Sequence, residues 1–290
     1  MKIVITGGTG FLGRHLSTYF LSLGHEMILI KRSDLTEGTD RISKLIKSTD
    51  VLINLAGSPV IKRWTASNKK EILGSRLNTT NLLVETISQL NGPERPSVFL
   101  SASAIGIYDS FKIHTETSTD YDNNYLSIVC QQWEKCLDPL LNLDLRVCVM
   151  RIGMVLAADG GMLKQLIPLF KAGFGGKIGS GKQGFSFIHY RDFCRAVWHL
   201  LENSQCRGIF NLTAPGHTTN AIFTEELAGA CHRPAFFTVP EIALRLIYGK
   251  AAVAMLKGQS VYPKHLLDVG FQFQYPDITS AIQAVMQKKQ

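Results

Sequence analysis

The chain has 290 residues, of which 45% are hydrophobic and 19% charged, a composition that excludes an intrinsically disordered protein. Its net charge of +8 is compatible with nucleic acid, a membrane surface or a phosphorylated ligand. The Lys and Arg residues form no run of five or more. Because the clustered footprint of a nucleic-acid-binding protein is missing, we expect no nucleic-acid partner.

Membrane, secretory and metal-binding signals are missing as well. No apolar run reaches the ~18 residues of a membrane span, and the chain starts in an apolar strand without a charged leader segment. The six cysteines include no C-x-x-C pair, which favours buried free thiols in a reducing compartment. The histidines show no metal-ligand spacing. We therefore expect a cytoplasmic protein with no membrane partner and no bound metal.

Strand and helix patterns alternate from the start of the chain. Lys2–Thr6 is a short apolar strand, and after a glycine-rich turn Phe11–Leu23 is helical until Gly24, a residue typical of the position just beyond a helix. Four further strands are predicted at Met27–Ile30, Val51–Leu55, Ser97–Ser101 and Leu145–Met150. Their continuous apolar runs are typical of parallel strands buried on both faces. The alternation of strands and helices predicts a right-handed, doubly wound sheet.

The composition changes after Arg151. The stretch Gly153–Gly184 is rich in Gly and Lys around a short helix. Later elements are predicted at Phe187–His189, Phe193–Leu201 and Ile209–Leu212. We predict an α/β fold, namely a Rossmann-type doubly wound parallel sheet with a small C-terminal substrate lobe, because the chain is long for one core and short for two. In this prediction the core consists of residues 1–153 and 187–213, and the lobe consists of residues 154–186 and 214–290.

The strongest motif is the glycine-rich loop between the first strand and the first helix. Gly7 permits a tight turn, Gly10 lets the backbone approach a pyrophosphate, and Gly13 lets the helix pack on the strand. The helix N-terminus offers unpaired N–H groups and a positive dipole end to phosphates. The residues of this loop that we expect to contact a dinucleotide are Gly7, Thr9, Gly10, Phe11, Leu12 and Gly13.

The end of the second strand indicates which dinucleotide binds. An acidic residue there would bind the ribose 2′-hydroxyl of NAD. This chain has Lys31 and Arg32 instead. Arg32 is suited to a 2′-phosphate in a bidentate contact, and Lys31 adds a point charge, so the cofactor predicted is NADP(H). Asp34, two residues further on, is a weaker candidate for a ribose contact.

These motifs give the chain a family resemblance. It resembles the extended and atypical short-chain dehydrogenase/reductases in the loop Thr6–Gly13, in Asn54–Gly57 and in Ile188–Asp192. Over nearly its whole length it is similar to the subgroup called the epimerase family, of the SDR39U1 type. The stretches that match this subgroup are Glu71–Arg76, Ser101–Tyr108, Trp133–Glu134, Arg151–Leu156, Gly179–Gln183 and Asn211–Pro215. The resemblance implies the family fold and NADP(H) binding.

The resemblance also implies a set of cofactor contacts. The positions similar to the contacts of the subgroup are Lys31, Arg32, Leu55, Ala56, Glu71, Arg76 and Leu126. The first two agree with the charge argument above. Leu55 and Ala56 end the third strand, where the cofactor crosses the edge of the sheet.

The usual catalytic residues of these enzymes are absent or displaced. Reductases and epimerases of this kind use a Tyr acid/base with a Lys one helical turn later, and the Lys lowers the pKa of the Tyr. In this chain the two places fall at Leu126 and Cys130. The place of the family's Asn falls at Arg76, and that of its Ser falls at Ala104, beside Ser103.

Other side chains are candidates for proton transfer. Tyr125 is one residue away from the usual Tyr place, which turns it about 100° around the helix. Tyr108 and Lys112 form a literal Tyr-x-x-x-Lys sequence, but the intervening residues resemble a loop. We expect Ser103 and Tyr108, which both follow the fourth strand, to be the catalytic residues, without a metal.

His189 and Asp192 lie three residues apart where a strand passes into a helix. We expect Asp192 to cap the helix and His189 to line the wall of the pocket.

The function best indicated is that of an NADPH-dependent oxidoreductase of a small carbonyl or enone substrate, since the cofactor itself carries the hydride. One alternative is a nucleotide-sugar epimerase or dehydratase. Those relatives usually place an Arg two residues after a Gln, whereas here Phe185 follows Gln183. A second alternative, favoured by the missing Tyr and Lys, is a non-catalytic NADP(H)-binding sensor or partner protein. The sequence leaves the substrate and the oligomeric state open.

Overall fold

A central sheet with helices on both faces dominates the computed structural model, which describes residues 1–287. Within these residues the strands are β1 (Lys2–Thr6), β2 (Glu26–Ile30), β3 (Val51–Asn54), β4 (Val98–Ala104), β5 (Ile113–His114), β6 (Arg146–Ile152), β7 (Met154–Leu156), β8 (Gly176–Ile178), β9 (Phe187–His189), β10 (Gly208–Leu212), β11 (Phe237–Val239) and β12 (Ser260–Val261). The α-helices of the same residues are α1 (Phe11–Ser22), α2 (Arg32–Thr36), α3 (Thr39–Ile46), α4 (Ala66–Gln89), α5 (Tyr125–Lys135), α6 (Leu163–Lys171), α7 (Tyr190–Glu202), α8 (Asn220–Ala230), α9 (Glu241–Tyr248), α10 (Val253–Leu256), α11 (Lys264–Asp268) and α12 (Ile278–Met286).

Six parallel strands form the central sheet, in the order β10-β6-β4-β3-β1-β2. The chain passes from β1 to β2 on one side and then crosses to β3 on the other side of β1. The connections that leave the carboxyl ends of the neighbouring strands β1 and β3 therefore run in opposite directions, and open α/β sheets bind their ligands at such a point. The predicted Rossmann-type parallel sheet is confirmed.

The apolar runs of the strands are continuous because both faces of the sheet are covered. Ile3, Val4 and Ile5 of β1 are all fully buried. Ile3 and Ile5 pack with Leu16 and Phe20 of α1, whereas Val4 packs on the opposite face with side chains of α3 and α4. Burying a large apolar side chain contributes about 1.5–3 kcal/mol, so this two-sided core fixes the ends of the strands in space.

Strand β4 is longer than the sequence predicted. The apolar pattern ends near Ser101, but pairing with β6 continues through Ala102 and Ser103 to Ala104. The strand continues because β6 provides backbone partners at every position and because the Ser103 hydroxyl has an acceptor in α5, as described below. The polar residue Ser101 therefore does not mark the end of β4.

The C-terminal lobe has an apolar cluster of its own, which includes Phe170 of α6, Leu227 of α8 and Ile282 of α12. Not all of residues 214–287 belong to it. Leu266 of α11 and Phe271 lie in the cluster beneath the central sheet. The three last residues of the predicted lobe, 288–290, lie outside the described residues.

All six cysteines are free thiols, and all except Cys136 are buried. Among residues 1–287, no helix combines the length and the apolar character needed to cross a bilayer. The same residues contain no group of three or more His, Cys, Asp or Glu side chains that could hold a metal ion.

Two helical glycines give opposite predictions for stability. A Cβ at Gly13 would overlap the backbone of Gly7 and Gly8, so Gly13→Ala should lower the free energy of unfolding by about 1–3 kcal/mol. At Gly74 the added Cβ would meet only Asn78 Nδ2, at 3.6 Å. Gly74→Ala should therefore raise the free energy of unfolding by about 0.5–1 kcal/mol. Urea denaturation measures both effects, and changes of the same sign would contradict the packing described for α1.

Candidate dinucleotide-binding and active site

The carboxyl ends of the central strands bring the predicted cofactor contacts together. Thr6 at the end of β1 is level with Ile30 of β2 and with Asn54 of β3. The glycine-rich loop, Lys31–Arg32 and Leu55–Ala56 therefore leave the sheet side by side. Residues separated by about fifty positions in the chain thus line one edge.

The glycine-rich loop has the geometry of a phosphate cradle. Gly7 has φ +69°, and a Cβ there would lie 2.8 Å from the carbonyl oxygen of Leu55. The Gly10 N–H donates to the Gly7 carbonyl at 2.9 Å, which closes the turn. A Cβ at Gly10 would meet only that carbonyl, at 3.1 Å, so the outer side of Gly10 is open. Gly10 also precedes α1 without a side-chain cap, which leaves the first N–H groups of the helix for an anion.

At the end of β2 the cations are exposed and the nearby carboxylate is not. Lys31 and Arg32 are exposed, whereas Asp34 is 5% exposed. The Lys31 N–H donates to Asp34 Oδ2 at 2.8 Å, and Arg41 Nε donates to Oδ1 at 2.8 Å. These two hydrogen bonds, the backbone one first, hold the pKa of Asp34 below its usual value. Asp34 is therefore engaged within the protein, and neither Lys31 nor Arg32 forms an ion pair with a carboxylate of residues 1–287.

Arg76 supplies a third cation, from the first half of α4. Its guanidinium stacks over the Trp133 ring with Cζ 5.2 Å from the centroid, and Nη1 donates to the carbonyls of Ser58 at 3.1 Å and Ile72 at 2.9 Å. Burial lowers the pKa of Arg76. No carboxylate of the described residues forms an ion pair with it. A half-buried guanidinium that donates to backbone carbonyls and pairs with no carboxylate of residues 1–287 is costly, and an anionic ligand would compensate it.

Glu71 lies five residues before Arg76 on α4 and has a different environment. It is exposed and its Oε2 lies 2.6 Å from Lys62 Nζ. That hydrogen bond is the main reason that the pKa of Glu71 lies below its usual value. Arg32 also lowers it by its charge, so Glu71 lies close to the cations at the end of β2.

A row of polar side chains crosses the sheet beneath the site, and we call this row the floor of the site. Ser103 of β4, Arg151 of β6 and Asn211 of β10 are paired in register, so their side chains point to the same face of the sheet. Arg151 is fully buried. It donates twice to Glu134 of α5, at 2.9 Å through Nε and at 2.7 Å through Nη2, and the Ser103 hydroxyl donates to the same carboxylate at 2.6 Å. Burial alone lowers the pKa of Arg151, but the hydrogen bonds and charge of Glu134 outweigh it and raise the pKa.

Tyr108, a predicted catalytic residue, lies inside this network. It is fully buried, accepts from Arg151 Nη1 at 2.7 Å and donates to Asn211 Oδ1 at 3.0 Å. Its ring stacks on His114 with the centroids 4.8 Å apart. Burial is the main cause that raises the pKa of Tyr108. Lys112 is not its partner, because the Lys112 ammonium pairs with Asp120 at 2.7 Å.

The places of the usual Tyr and Lys fall in the first two turns of α5. Leu126 is half-buried there, and Cys130 is buried. Burial, reinforced by the charge of Glu134, raises the pKa of the Cys130 thiol to about 12, so this thiol is neutral and transfers no proton near neutral pH. Tyr125 is not free to replace the missing Tyr, since its hydroxyl donates to the Lys69 carbonyl at 2.6 Å.

His189 caps α7, which corrects the prediction that Asp192 does so. The helix begins at Tyr190, and His189 Nδ1 accepts from the Arg191 N–H at 3.2 Å. Asp192 is already in the first turn, where its carboxylate accepts the N–H groups of Gln274 and Tyr275. It thereby attaches the C-terminal lobe to the core.

The Arg151–Glu134 pair was not identified from the sequence. A signal was present, because Arg151 interrupts the apolar strand Val-Cys-Val-Met-Arg-Ile, and a charge inside a buried strand requires a partner. The sequence does not show which carboxylate that partner is. A second buried chain of hydrogen bonds was also missed, in which Thr6 and Thr80 bond to Asn54 and Trp133 bonds to Thr80, each at 2.7–2.8 Å.

Residues 3–213 match the model of the NAD dependent epimerase/dehydratase family, and residues 239–285 match a domain of unknown function. The chain is 33% identical to the chloroplastic epimerase family protein SDR39U1 homolog of Arabidopsis thaliana, over 99% of this chain and 87% of that protein. It is 36% identical to an epimerase family protein of Staphylococcus saprophyticus over 97% of both. These similarities confirm the resemblance inferred from the motifs.

Solved structures agree with these relatives. The crystal structure of human epimerase family protein SDR39U1 (isoform 2) with NADPH is similar with a TM-score of 0.91 and 31% identity, over 100% of both chains. The nucleoside-diphosphate sugar epimerase of Corynebacterium glutamicum has a TM-score of 0.79 and 29% identity, over 99% of this chain and 58% of that one. The UDP-glucuronic acid 4-epimerase of Bacillus cereus, at 16% identity and a TM-score of 0.76, shares the fold.

Removing Arg151 should be severe. Arg151→Met leaves the Glu134 carboxylate in the interior without its cation, and we expect the free energy of unfolding to fall by about 3–5 kcal/mol. Chemical denaturation measures the loss. The matched control is Arg245→Met, which removes one partner of an exposed ion pair, 3.6 Å from Glu241, and should change stability little. Equal effects of the two substitutions would contradict the role given to Arg151.

His189 should make stability depend on pH. Burial, followed by the charges of Arg191 and His15, lowers the pKa of His189 from 6.5 to about 3. Below pH 6.5 His189 is therefore protonated in the unfolded chain but stays neutral in the folded chain. Stability is lost as the pH falls from 6.5 towards 3. The loss from this group should reach about 2 kcal/mol at pH 5. In His189→Asn, which keeps a capping side chain, this part of the pH dependence should vanish from the unfolding curves; an unchanged profile would show that His189 does not titrate as described.

Proposed function

Since the chain belongs to the NAD dependent epimerase/dehydratase family, we propose that it binds NADP(H) at the carboxyl edge of the sheet and reduces a small carbonyl or enone substrate. The observation that carries the proposal is the pair of exposed cations, Lys31 and Arg32, beside an open glycine loop, with Asp34 engaged by Arg41. A polyanionic dinucleotide with an additional phosphate complements this edge. The complex of human SDR39U1 with NADPH supports the same cofactor.

The residues present fit such a cofactor. Gly10 leaves room for a pyrophosphate and α1 directs free N–H groups at it. Lys31 and Arg32 would hold the 2′-phosphate, and Leu55 and Ala56 would line its path across the sheet. Arg76, whose guanidinium donates to two backbone carbonyls, would bind a further anionic group of the cofactor or substrate.

In the proposed reaction the main task of the protein is to position the cofactor and the substrate. NADPH supplies a hydride when bound. Cys130 and Leu126 transfer no proton, and the hydroxyls of Ser103 and Tyr108 have partners within the buried network. We therefore propose that Ser103 and Tyr108 act as positioning residues that hold the floor of the site, and that the proton added to the product comes from solvent. An activated carbonyl or enone suits such a site better than an unactivated ketone.

Two alternatives differ from this proposal. A non-catalytic NADP(H)-binding protein is favoured by Leu126 and Cys130 at the usual Tyr and Lys places. The second alternative is a nucleotide-sugar epimerase, the activity by which the C. glutamicum neighbour is named. Against that activity, Phe185 stands where the related enzymes usually have an Arg, and its ring stacks on Phe223 with the centroids 4.2 Å apart. That position belongs to the core of the lobe.

The decisive experiment combines cofactor binding with a substrate panel. The purified protein is titrated with NADPH, and NADPH oxidation is then followed with aldehydes, diketones and enones, with nucleotide sugars as a separate arm. Binding with turnover of a carbonyl or enone supports the proposal. Binding without turnover favours the non-catalytic alternative, and conversion of a nucleotide sugar favours the epimerase.

Cofactor preference should depend on the end of β2. We expect NADPH to bind more tightly than NADH, and Lys31→Ala combined with Arg32→Ala to remove most of that preference, about 1–3 kcal/mol, or roughly 5- to 150-fold. NADH affinity should stay nearly constant, because NADH lacks the 2′-phosphate. Calorimetric titrations measure both, with Lys44→Ala as an exposed-cation control on α3. Equal affinities of the unmodified protein for NADPH and NADH would refute the assignment.

The glycine loop gives an independent prediction. In Gly10→Val a branched side chain would occupy the open side of the turn, so NADPH binding should be lost while the far-UV circular dichroism and the unfolding midpoint remain close to normal. Normal NADPH affinity in this variant would place the cofactor elsewhere.

A further inference from the structure

Three exposed phenylalanines form an apolar projection on the C-terminal lobe, which we call the aromatic tip. Phe174 follows α6 and is 67% exposed, and Phe236 and Phe237 enter β11 and are 87% and 54% exposed. The rings of Phe174 and Phe237 lie 6.4 Å apart. The pairing of β8 with β11 joins the two segments, and Phe236 directly precedes Phe237, so the three exposed side chains lie in one region of the lobe.

The two segments that meet at the tip carry nearly all the net charge of the protein. Residues 160–187 and 231–262 contain eight of the 31 Lys and Arg residues but only one of the 23 Asp and Glu residues. Seven of the eight units of net positive charge therefore lie there. All eight cations are exposed, namely Lys164, Lys171, Lys177, Lys182, Arg233, Arg245, Lys250 and Lys257.

Two of these cations, Lys171 and Arg233, lie at the tip itself. Arg233 Nε donates to the carbonyl of Lys171 at 3.0 Å, which places Arg233 beside the end of α6. The one carboxylate of the two segments, Glu241, lies 3.6 Å from Arg245. No carboxylate of the described residues pairs with Lys171, Lys177 or Arg233. The tip thus combines bare aromatic rings with uncompensated positive charge.

The helix that follows β11 extends the apolar character. In α9, Ile242 and Leu246 are 68% and 69% exposed. They are four residues apart and so lie on one side of the helix, while Leu244 is buried and attaches the helix to the lobe. These exposed aliphatic side chains lie on the same lobe as the tip and enlarge its exposed apolar surface.

We propose that the aromatic tip docks on the surface of a bilayer that contains anionic phospholipids. Projecting rings fit the boundary between headgroups and acyl chains without a complementary pocket, and clustered Lys and Arg side chains are attracted by the negative surface potential. A protein partner would need a matching groove for three projecting rings, which a bilayer does not.

This proposal departs from the expectation of no membrane partner. That expectation rested on the absence of a long apolar run, a criterion that detects only spanning segments. The tip brings together side chains from two segments about sixty residues apart. The proposal does not depend on NADP(H) binding, because neither Phe174 nor Phe236 is among the candidate cofactor contacts.

The test is cosedimentation of the full-length protein with vesicles. One set of vesicles is phosphatidylcholine alone, and the other is phosphatidylcholine mixed with phosphatidylglycerol. We expect binding to the mixed vesicles that exceeds binding to the neutral ones at least tenfold. Binding should be largely lost at 1 M salt, where the Debye length is about 3 Å.

Matched variants separate the two contributions. Phe174→Ser with Phe236→Ser should weaken vesicle binding at least tenfold, whereas Phe111→Ser, which removes an equally exposed ring (86%) outside the lobe, should not. Lys171→Gln with Lys177→Gln should weaken binding about fivefold per cation, whereas Lys44→Gln with Lys135→Gln should have less effect. Unfolding midpoints and NADPH titrations check that every variant is folded.

Several results would overturn the proposal. They are no binding to anionic vesicles at low salt, equal binding to neutral and anionic vesicles, or full binding by the Phe174→Ser, Phe236→Ser variant. Sedimentation velocity without vesicles tests whether the aromatic tip binds a second copy of this chain instead of a membrane. A dimer that dissociates in the same variant, with no vesicle binding, would show that the tip is a self-association surface instead.

Discussion

The buried guanidinium of Arg151 is the constraint on which the floor of the site depends. An unpaired charge in that position would cost several kcal/mol, a large part of the stability margin of a domain, so the Arg151 guanidinium requires a carboxylate partner, and Glu134 supplies it. The two hydrogen bonds to Glu134 fix α5 against β4 and β6, and the bond to Tyr108 fixes the loop that follows β4. The Asn211 side chain, on β10, bonds to the same Tyr108 hydroxyl. One ion pair thereby determines how three strands, a helix and a loop meet.

This arrangement also explains what the site can do. The hydroxyls and carboxylate nearest the sheet are consumed in holding the floor, and the thiol at the usual Lys place is neutral. The groups left for ligands are cations and N–H donors, namely Lys31, Arg32, Arg76 and the start of α1. A site of this kind binds and orients anions well but offers little acid/base chemistry. That balance is the physical basis for proposing a hydride-transfer reaction of an activated substrate, with cofactor binding alone as its nearest competitor.

The sequence predicted the parts of this arrangement that obey local rules. The glycine loop, the continuous apolar strands and the cations after β2 each follow from a few neighbouring residues, and the fold and family drawn from them are confirmed. Positions that depend on a partner distant in the sequence were harder to predict. Asp192 was expected to cap its own helix, yet it receives N–H groups from residues about eighty positions later. Tyr108 was expected to be a catalytic residue, and the structure places its side chain beneath the surface, in contact with Arg151 and His114.

The sequence by itself determined the order of strands and helices, the glycine-rich loop and the choice of cations over an acid at the end of β2, because periodicity, turn geometry and residue charge are properties of short segments. Only the tertiary structure decided which carboxylate neutralises Arg151, that Asp34 is engaged by Arg41, and that Phe174 and Phe236 project together from one lobe. Those outcomes depend on which segments the folded chain brings within a few ångströms of one another. Burial then sets the strength of each charge and hydrogen bond, and burial is a property of the whole fold.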